Sequence, residues 1–187
     1  MVNNALKRQA IFLDRDGVII RAIIQEGKPH PPSTIGEVEI LPGVKEGLAI
    51  LNRAGFLLII VSNQPDVARG ILQKSFVEQI NNSLLNSLPI DDVWVCYHSD
   101  QDNCICRKPA PGLLLGAAKK WDIDLEMSYM IGDRWRDILA AKNAGCKSIL
   151  INNSYTEKQI IADICANSLY DAAQIITEQG NDYESHR

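Results

Sequence analysis

Long apolar runs are missing from this chain. Nothing in its 187 residues approaches the length of a membrane span. The opening residues, Met1 to Gln9, are polar and hold no apolar stretch of the kind a secretory signal needs. A cytoplasmic location is therefore expected, with no membrane partner. A basic excess is missing as well: 19 lysines and arginines face 23 aspartates and glutamates, a formal net charge of −4. Proteins that hold nucleic acid by its phosphates carry the opposite balance, so no nucleic-acid partner is expected either. The chain has no internal repeat, no low-complexity tract and no insertion long enough for a separate lid domain.

What is present is ordinary in bulk and unusual in detail. With 46% hydrophobic and 22% charged residues, the chain is long enough to bury a core without staples. One domain is expected over 1–187, with its core at about 10–176 and a frayed tail from 180 to 187. A monomer is the expected state.

Short apolar runs alternate with helical patterns. Strands are expected at Ile11–Leu13, Phe56–Val61, Val93–Tyr97, Tyr129–Ile131 and Lys147–Ile151. Helices are expected at Pro42–Ala54, about Gln73–Leu85, Pro111–Trp121 and Ile138–Asn143, with one or two more over Thr156–Gln179. Strands separated by helices imply parallel pairing through right-handed crossovers, hence an α/β fold with a doubly wound, mainly parallel sheet. Ile20 to Leu41, rich in proline and glycine, is expected to be irregular and to act as a flap facing substrate.

Polar residues gather where strands end. Asp14 and Asp16 follow the first strand, then Gly17; Ser62, Asn63 and Gln64 follow the second. Arg107-Lys108-Pro109 precedes a helix, and Gly132-Asp133 with Asp137 follows the fourth strand. Open α/β sheets keep their sites at this carboxyl edge. A carboxylate such as Asp14 can attack phosphorus and form an aspartyl-phosphate. It would approach a dianion, so a cation must intervene; Mg2+ held by Asp14 and Asp133 supplies one with hard oxygen ligands.

The order Asp-x-Asp-Gly, strand-Ser, Lys, Gly-Asp-x-x-x-Asp resembles the four-part signature of haloacid dehalogenase (HAD) superfamily phosphatases. The likeness spans Asp14 to Asp137 in motif and about Ala10 to Ile176 in fold. It implies a capless HAD-like Rossmannoid domain and phosphomonoester hydrolysis. Asp14 would be the nucleophile. Asp16 would give its backbone carbonyl to the Mg2+ held by Asp14 and Asp133, and its carboxyl would serve as acid and then base. Ser62 and Lys108 would hold the transferring phosphoryl oxygens, and Asp137 would orient Lys108 or a water.

A second constellation lies just ahead of Lys108. Cys96, His98, Cys104 and Cys106 read C-x-H-x5-C-x-C, a complete Cys3His set for structural zinc. Cys146 and Cys165 lie in apolar contexts and read as small buried hydrophobes. A C-x-H…C-x-C loop before Arg-Lys-Pro resembles one branch of the superfamily, which holds the D-glycero-D-manno-heptose 1,7-bisphosphate phosphatases and the histidinol-phosphate phosphatases. By that resemblance Asn63, Arg107, Lys108 and Arg134 contact a small phosphorylated sugar. Arg107 and Arg134 suit a second phosphate, since guanidinium binds phosphate bidentately. Arg69 is a further candidate; Arg136 reads as a solvated helix residue, and His30 has no assigned role. The chain continues from Ile19 as Ile20-Arg21-Ala22-Ile23, without the Gly-Tyr loop usual in the heptose enzymes. The leading expectation is hydrolysis of a heptose bisphosphate. Histidinol phosphate and a non-catalytic phospho-ligand domain are the alternatives.

Overall fold

A computed structural model describes residues 7–153, 155 and 157–184. Its centre is a six-stranded parallel sheet in the order β5-β4-β1-β6-β7-β8. The strands are β1 (Ala10–Leu13), β4 (Leu57–Asn63), β5 (Asp92–Cys96), β6 (Tyr129–Gly132), β7 (Lys147–Ile151) and β8 (Ile164–Ala166). A two-stranded antiparallel hairpin stands apart from them, β2 (Ile23–Gln25) with β3 (Lys28–His30). The helices are α1 (Val44–Arg53), α2 (Pro65–Ala68), α3 (Lys74–Ser87), α4 (Gly112–Trp121), α5 (Trp135–Ala144) and α6 (Leu169–Glu184).

Side-chain alternation along the strands feeds two apolar layers. Ile11 and Leu13 of β1, Leu58 and Ile60 of β4 and Ile131 of β6 pack with Leu48 and Leu51 of α1, Ile80 and Leu84 of α3 and Ala172 and Ile176 of α6. Their neighbours Phe12, Ile59, Val61 and Met130 point the other way, against Leu113, Leu114 and Ala117 of α4 and Ala140 and Ala141 of α5. Strands apolar at every position are what a sheet covered on both faces requires. The central strand β1 is buried along its whole length.

The chain winds outward from β1 through β4 to β5, then returns to the other side of β1 for β6, β7 and β8. Winding thus reverses beside β1, and the crevice of such a sheet opens at the strand ends there. The ends of β1, β4 and β6 carry Asp14, Ser62 and Asp133.

Several elements differ from the sequence expectation. The chain after β7 does not begin a helix: 157–163 is irregular, β8 adds a sixth strand, and only then does α6 start. Thr156 lies outside the described residues. Three-residue edge strands carry too little periodicity to be seen in sequence. Helix α6 is assigned through Glu184, and 185–187 lie outside the described residues. Pro42 precedes α1 rather than sitting in its first turn. Helix α5 starts one turn before Ile138, where the Asp137 carboxylate accepts from the Arg134 N–H at 3.1 Å and caps it. Cys165 is exposed on edge strand β8 rather than buried, whereas Cys146 is buried as expected.

The 20–41 segment is ordered. Its base is sealed by two backbone hydrogen bonds, Arg21 N–H to Glu39 at 2.8 Å and Leu41 N–H to Ile19 at 3.0 Å. The hairpin projects from this base.

Candidate active site

The strand ends, the loops that follow them and the hairpin deliver side chains to one cleft of about 470 Å3 at the carboxyl edge of the sheet. Asp14 leaves β1 with its N–H donating to Ile131 of β6 at 2.9 Å, which fixes it between two strand ends. Beyond it Gly17 turns the chain at φ +88°, and a Cβ there would fall 1.8 Å from Asp133 Oδ2. Only glycine satisfies both demands. Gly132 has a similar duty: a Cβ would stand 2.1 Å from Cβ of Asp137. Gly17 lets the β1 loop close on Asp133, and Gly132 lets β6 turn tightly into α5 beneath Asp137.

Lys108 is the hub. Its ammonium donates to Asp14 Oδ1 at 2.9 Å and to the Val61 carbonyl at 2.7 Å, and stands 2.6 Å from Asp137 Oδ1. The side chain is only 2% exposed. Burial alone would lower its pKa, but the charges of Asp137 and Asp14 outweigh that and raise it, so the amine is held as a cation. The Lys108 backbone is gripped from both sides by Asn63, whose amide donates to the carbonyl at 2.9 Å and accepts from the N–H at 3.0 Å. Asn63 therefore lines the cleft with its amide already committed to the lysine's backbone.

Asp14 and Asp137, which contact this cation, cluster with a third buried carboxylate, Asp133. Ligand atoms of Asp14, Asp133 and Asp137 all lie within 4.8 Å of one another. Burial and the neighbouring charges of Asp14 and Asp137 push Asp133 well above the usual carboxylate range. Burial also lifts Asp137, to about 6, against the lowering pull of Lys108. One lysine cannot balance three acids, and Asp133 Oδ1 is buried without a hydrogen-bond partner among the described residues. An unsatisfied buried carboxylate oxygen beside two further acids fits a hard divalent cation.

Asp16 faces a different environment. Its carboxylate takes Arg15 Nη2 at 3.0 Å and Gln64 Nε2 at 2.7 Å. Arg15 is fully buried and also donates to Asn81 of α3 at 3.1 Å. Ser62 is buried at the end of β4 and accepts from the Gln64 amide at 2.9 Å.

The rim is rich in arginine. Arg107 donates to Asp100 at 2.9 Å, and Arg134 pairs with Glu157. Hydrogen bonding from Arg107 holds the Asp100 carboxyl below its ordinary range. Arg136 is not simply solvated: it lines the cleft and stands 3.2 Å from Asp100. Arg69 lines the cleft too. Lys28 and His30 of the hairpin form part of the opposite wall, so the 20–41 segment faces the site as expected of a flap.

The second constellation also assembles. Sγ of Cys96, Cys104 and Cys106 lie 3.2, 3.4 and 3.6 Å apart, and His98 Nδ1 is 3.5 Å from Cys96 and 3.3 Å from Cys106. A tetrahedral zinc with thiolates at about 2.3 Å sets sulfurs about 3.8 Å apart, so the donor set suits the ion. Burial raises the Cys104 thiol, but the Arg107 N–H and neighbouring thiols bring it down to about 7.

The structure thus brings Asp14, Asp16, Ser62, Lys108 and Asp133 into one neighbourhood, with Asn63, Arg107 and Arg134 around them. Sequence reasoning missed the supporting groups. Arg15 and Gln64 were visible within the motifs, but their contact with Asp16 depends on how the β1 and β4 loops fold. Tyr155, whose hydroxyl lies beside Asp133 at Gly17, and Asn153, which donates to the Gly17 carbonyl at 3.1 Å, come from a loop with no motif at all.

Comparison with known proteins agrees with this geometry. A family model described as HAD-hydrolase-like matches residues 105–172. A D-glycero-β-D-manno-heptose-1,7-bisphosphate 7-phosphatase of Rhodopseudomonas palustris is 36% identical, covering 78% of this chain and 84% of its own. The Escherichia coli K12 protein of the same name is 35% identical, covering 91% and 94%. Among solved structures, the D,D-heptose 1,7-bisphosphate phosphatase of B. bronchiseptica, complexed with magnesium and phosphate, superposes with a TM-score of 0.78 at 26% identity. The match covers 91% of this chain and 99% of that one. With its motifs, fold and relatives in agreement, this chain is a phosphatase of the HAD superfamily and belongs to the family of the D-glycero-β-D-manno-heptose-1,7-bisphosphate 7-phosphatases.

Proposed function

We propose that this protein removes the 7-phosphate of D-glycero-β-D-manno-heptose 1,7-bisphosphate, through an aspartyl-phosphate on Asp14. The observation that carries the reading is the hub at the cleft floor. One buried lysine touches the carboxylate poised to attack, beside two further acids and beneath a rim of arginines.

An Asp14 oxygen attacks phosphorus while the bond from phosphorus to the sugar oxygen breaks. Asp16, in its protonated form, delivers a proton to that leaving oxygen. The resulting carboxylate, steadied by Arg15 and Gln64, then takes a proton from the water that attacks the aspartyl-phosphate and frees Asp14. Ser62 and Lys108 donate to the phosphoryl oxygens throughout, where fixed donors count for most. Asp137 holds the Lys108 ammonium in place, and Asn63 holds its backbone. Asp14, Asp133 and the Asp16 carbonyl would hold Mg2+, which would supply positive charge to offset the anionic nucleophile and substrate. Cys96, His98, Cys104 and Cys106 would hold a structural zinc, which would stiffen the segment presenting Lys108. Arg107 and Arg134 are among the rim arginines that anchor the second phosphate.

The test is phosphate release from both anomers of the heptose bisphosphate and from histidinol phosphate, with Mg2+. The β-bisphosphate should exceed histidinol phosphate by at least about tenfold in kcat/KM, a difference of about 1.4 kcal/mol, and Asp14→Asn should abolish turnover. A fully active Asp14→Asn protein would end the mechanism; a preference for histidinol phosphate would end the substrate assignment.

A further inference from the structure

At the cleft rim, three arginines from three separate elements converge on one carboxylate. Asp100 accepts from Arg107 Nε at 2.9 Å and Nη2 at 3.3 Å. It also stands 3.2 Å from Arg136 Nη1 and 3.6 Å from Arg69 Nη2. Arg69 closes α2, Arg107 follows the Cys/His loop, and Arg136 lies in the first turn of α5. All four residues line the cleft.

Charge counting makes the cluster informative. Arg69 also pairs with Asp66 at 2.9 Å. Three guanidiniums against Asp66 and Asp100 leave one surplus positive charge. With Asp100 turned out to solvent the surplus becomes two, which matches a phosphate dianion. Guanidiniums gathered this closely repel one another unless an anion lies among them. Some anion must therefore fill the position, and Asp100 is the one the chain carries.

Asp100 is built to leave. Its side chain is 51% exposed, and exposed ion pairs are individually weak. It stands on a short 3-10 turn, Asp100–Asp102, held by local bonds from Ser99 to Asp102 and not by core packing. A phosphate that meets several guanidiniums makes stronger, paired contacts than one carboxylate can.

We propose that Asp100 is a specificity-determining residue: a resident counter-anion that holds the Arg69, Arg107 and Arg136 cluster until the second phosphate of a bisphosphorylated sugar displaces it. Monophosphates leave Asp100 where it is and gain nothing from the cluster. Bisphosphates exchange it for their own phosphate, so the difference between their two affinities depends on Asp100. This inference rests on the cleft being a sugar bisphosphate site, as proposed above.

The test compares the heptose 1,7-bisphosphate with the heptose 7-phosphate. In Asp100→Asn, KM for the bisphosphate should fall at least about threefold, and KM for the monophosphate should move less than about twofold. Arg136→Ala should raise KM for the bisphosphate alone. Zinc content of Asp100→Asn should equal that of the parent, which separates competition from collapse of the loop. Equal shifts for both substrates, or a higher bisphosphate KM in Asp100→Asn, would overturn the inference. Should the parent release no phosphate from the heptose bisphosphate, the substrate assignment fails, and binding decides this point. Fructose 1,6-bisphosphate is then titrated into Asp14→Asn with and without Asp100→Asn, followed by tryptophan fluorescence, since Trp135 stacks against Arg136. Binding at least about threefold tighter without the Asp100 charge supports the inference. Unchanged affinity, or no saturable signal in either protein, refutes it.

Discussion

Replacing Lys108 by methionine removes a buried cation while nearly preserving shape. The ammonium now stands 2.6 Å from Asp137 and 2.9 Å from Asp14, with Asp133 close behind. Without it three buried acids face one another unpaired. Breaking a buried ion pair from one side costs about 3–5 kcal/mol. In a chain of this size each kcal/mol shifts Tm by about 2–4 °C, so a fall of about 10 °C is expected at neutral pH. The loss should depend on pH in a definite direction. Burial already lifts Asp137 to about 6 and Asp133 well above its ordinary range. An acid whose folded pKa exceeds its unfolded value binds a proton on folding, so its burden on the fold lifts as pH drops through the folded pKa. Loss of the lysine removes the pull that lowers Asp137 and raises that acid further, so Lys108→Met should recover stability on moving from pH 7.5 to pH 5, relative to the parent. Added Mg2+ should raise Tm more in the variant than in the parent, because a cation substitutes for the missing charge. Turnover should drop by about 10^2- to 10^3-fold, as when a fixed donor to a reacting oxygen is lost. Thermal denaturation at the two pH values, with Mg2+ or EDTA, measures all but the last. A shift below about 2 °C that is the same at both pH values would show that the lysine does not hold the acids together.

Two further outcomes follow from the same architecture. Asn63→Ala should lower kcat by about tenfold, about 1.4 kcal/mol, while KM stays within about twofold, because the amide grips the Lys108 backbone; a KM effect with unchanged kcat would make Asn63 a substrate ligand instead. Elemental analysis of the purified protein should give about one zinc per chain, falling below about half in Cys106→Ser and on acidification, since thiolates must lose their protons to bind; undiminished zinc in that variant would dissolve the Cys3His site.

Much of the site could be read from the chain because its parts sit at fixed offsets from strand ends. Asp14 and Asp16 are placed by β1, Ser62 and Asn63 by β4, and Asp133 by β6, and each of those strands is a continuous apolar run. Burial on both faces makes such runs conspicuous. The Cys/His set was legible because one loop supplies every donor. Where the fold departs from expectation, the local signal is weak: β8 has three residues and pairs with β7 alone, so only its neighbour dictates its form. The partners of the arginines were invisible for a related reason. Asp100, Glu157 and Tyr155 act through contacts between distant loops, and nothing in their own neighbourhoods distinguishes them from solvated residues. Arg136 was misjudged because helix position says nothing about an acid arriving from the Cys/His loop.

The two hydrogen bonds that seal the base of the 20–41 segment have a consequence for how this family can diversify. Everything between Arg21 and Glu39 is an excursion whose two ends already meet, so beyond the root residues Ala22 and Val38 its length weighs little on the sheet. Such an excursion works as an interchangeable cassette. Its tip reaches the cleft through Lys28 and His30, while its root is tied to the core by Ile20, Val38, Ile40 and Leu41. Swapping the cassette changes what the entrance admits and leaves the floor where phosphorus reacts untouched, so new sugar preferences can arise here without re-inventing the reaction.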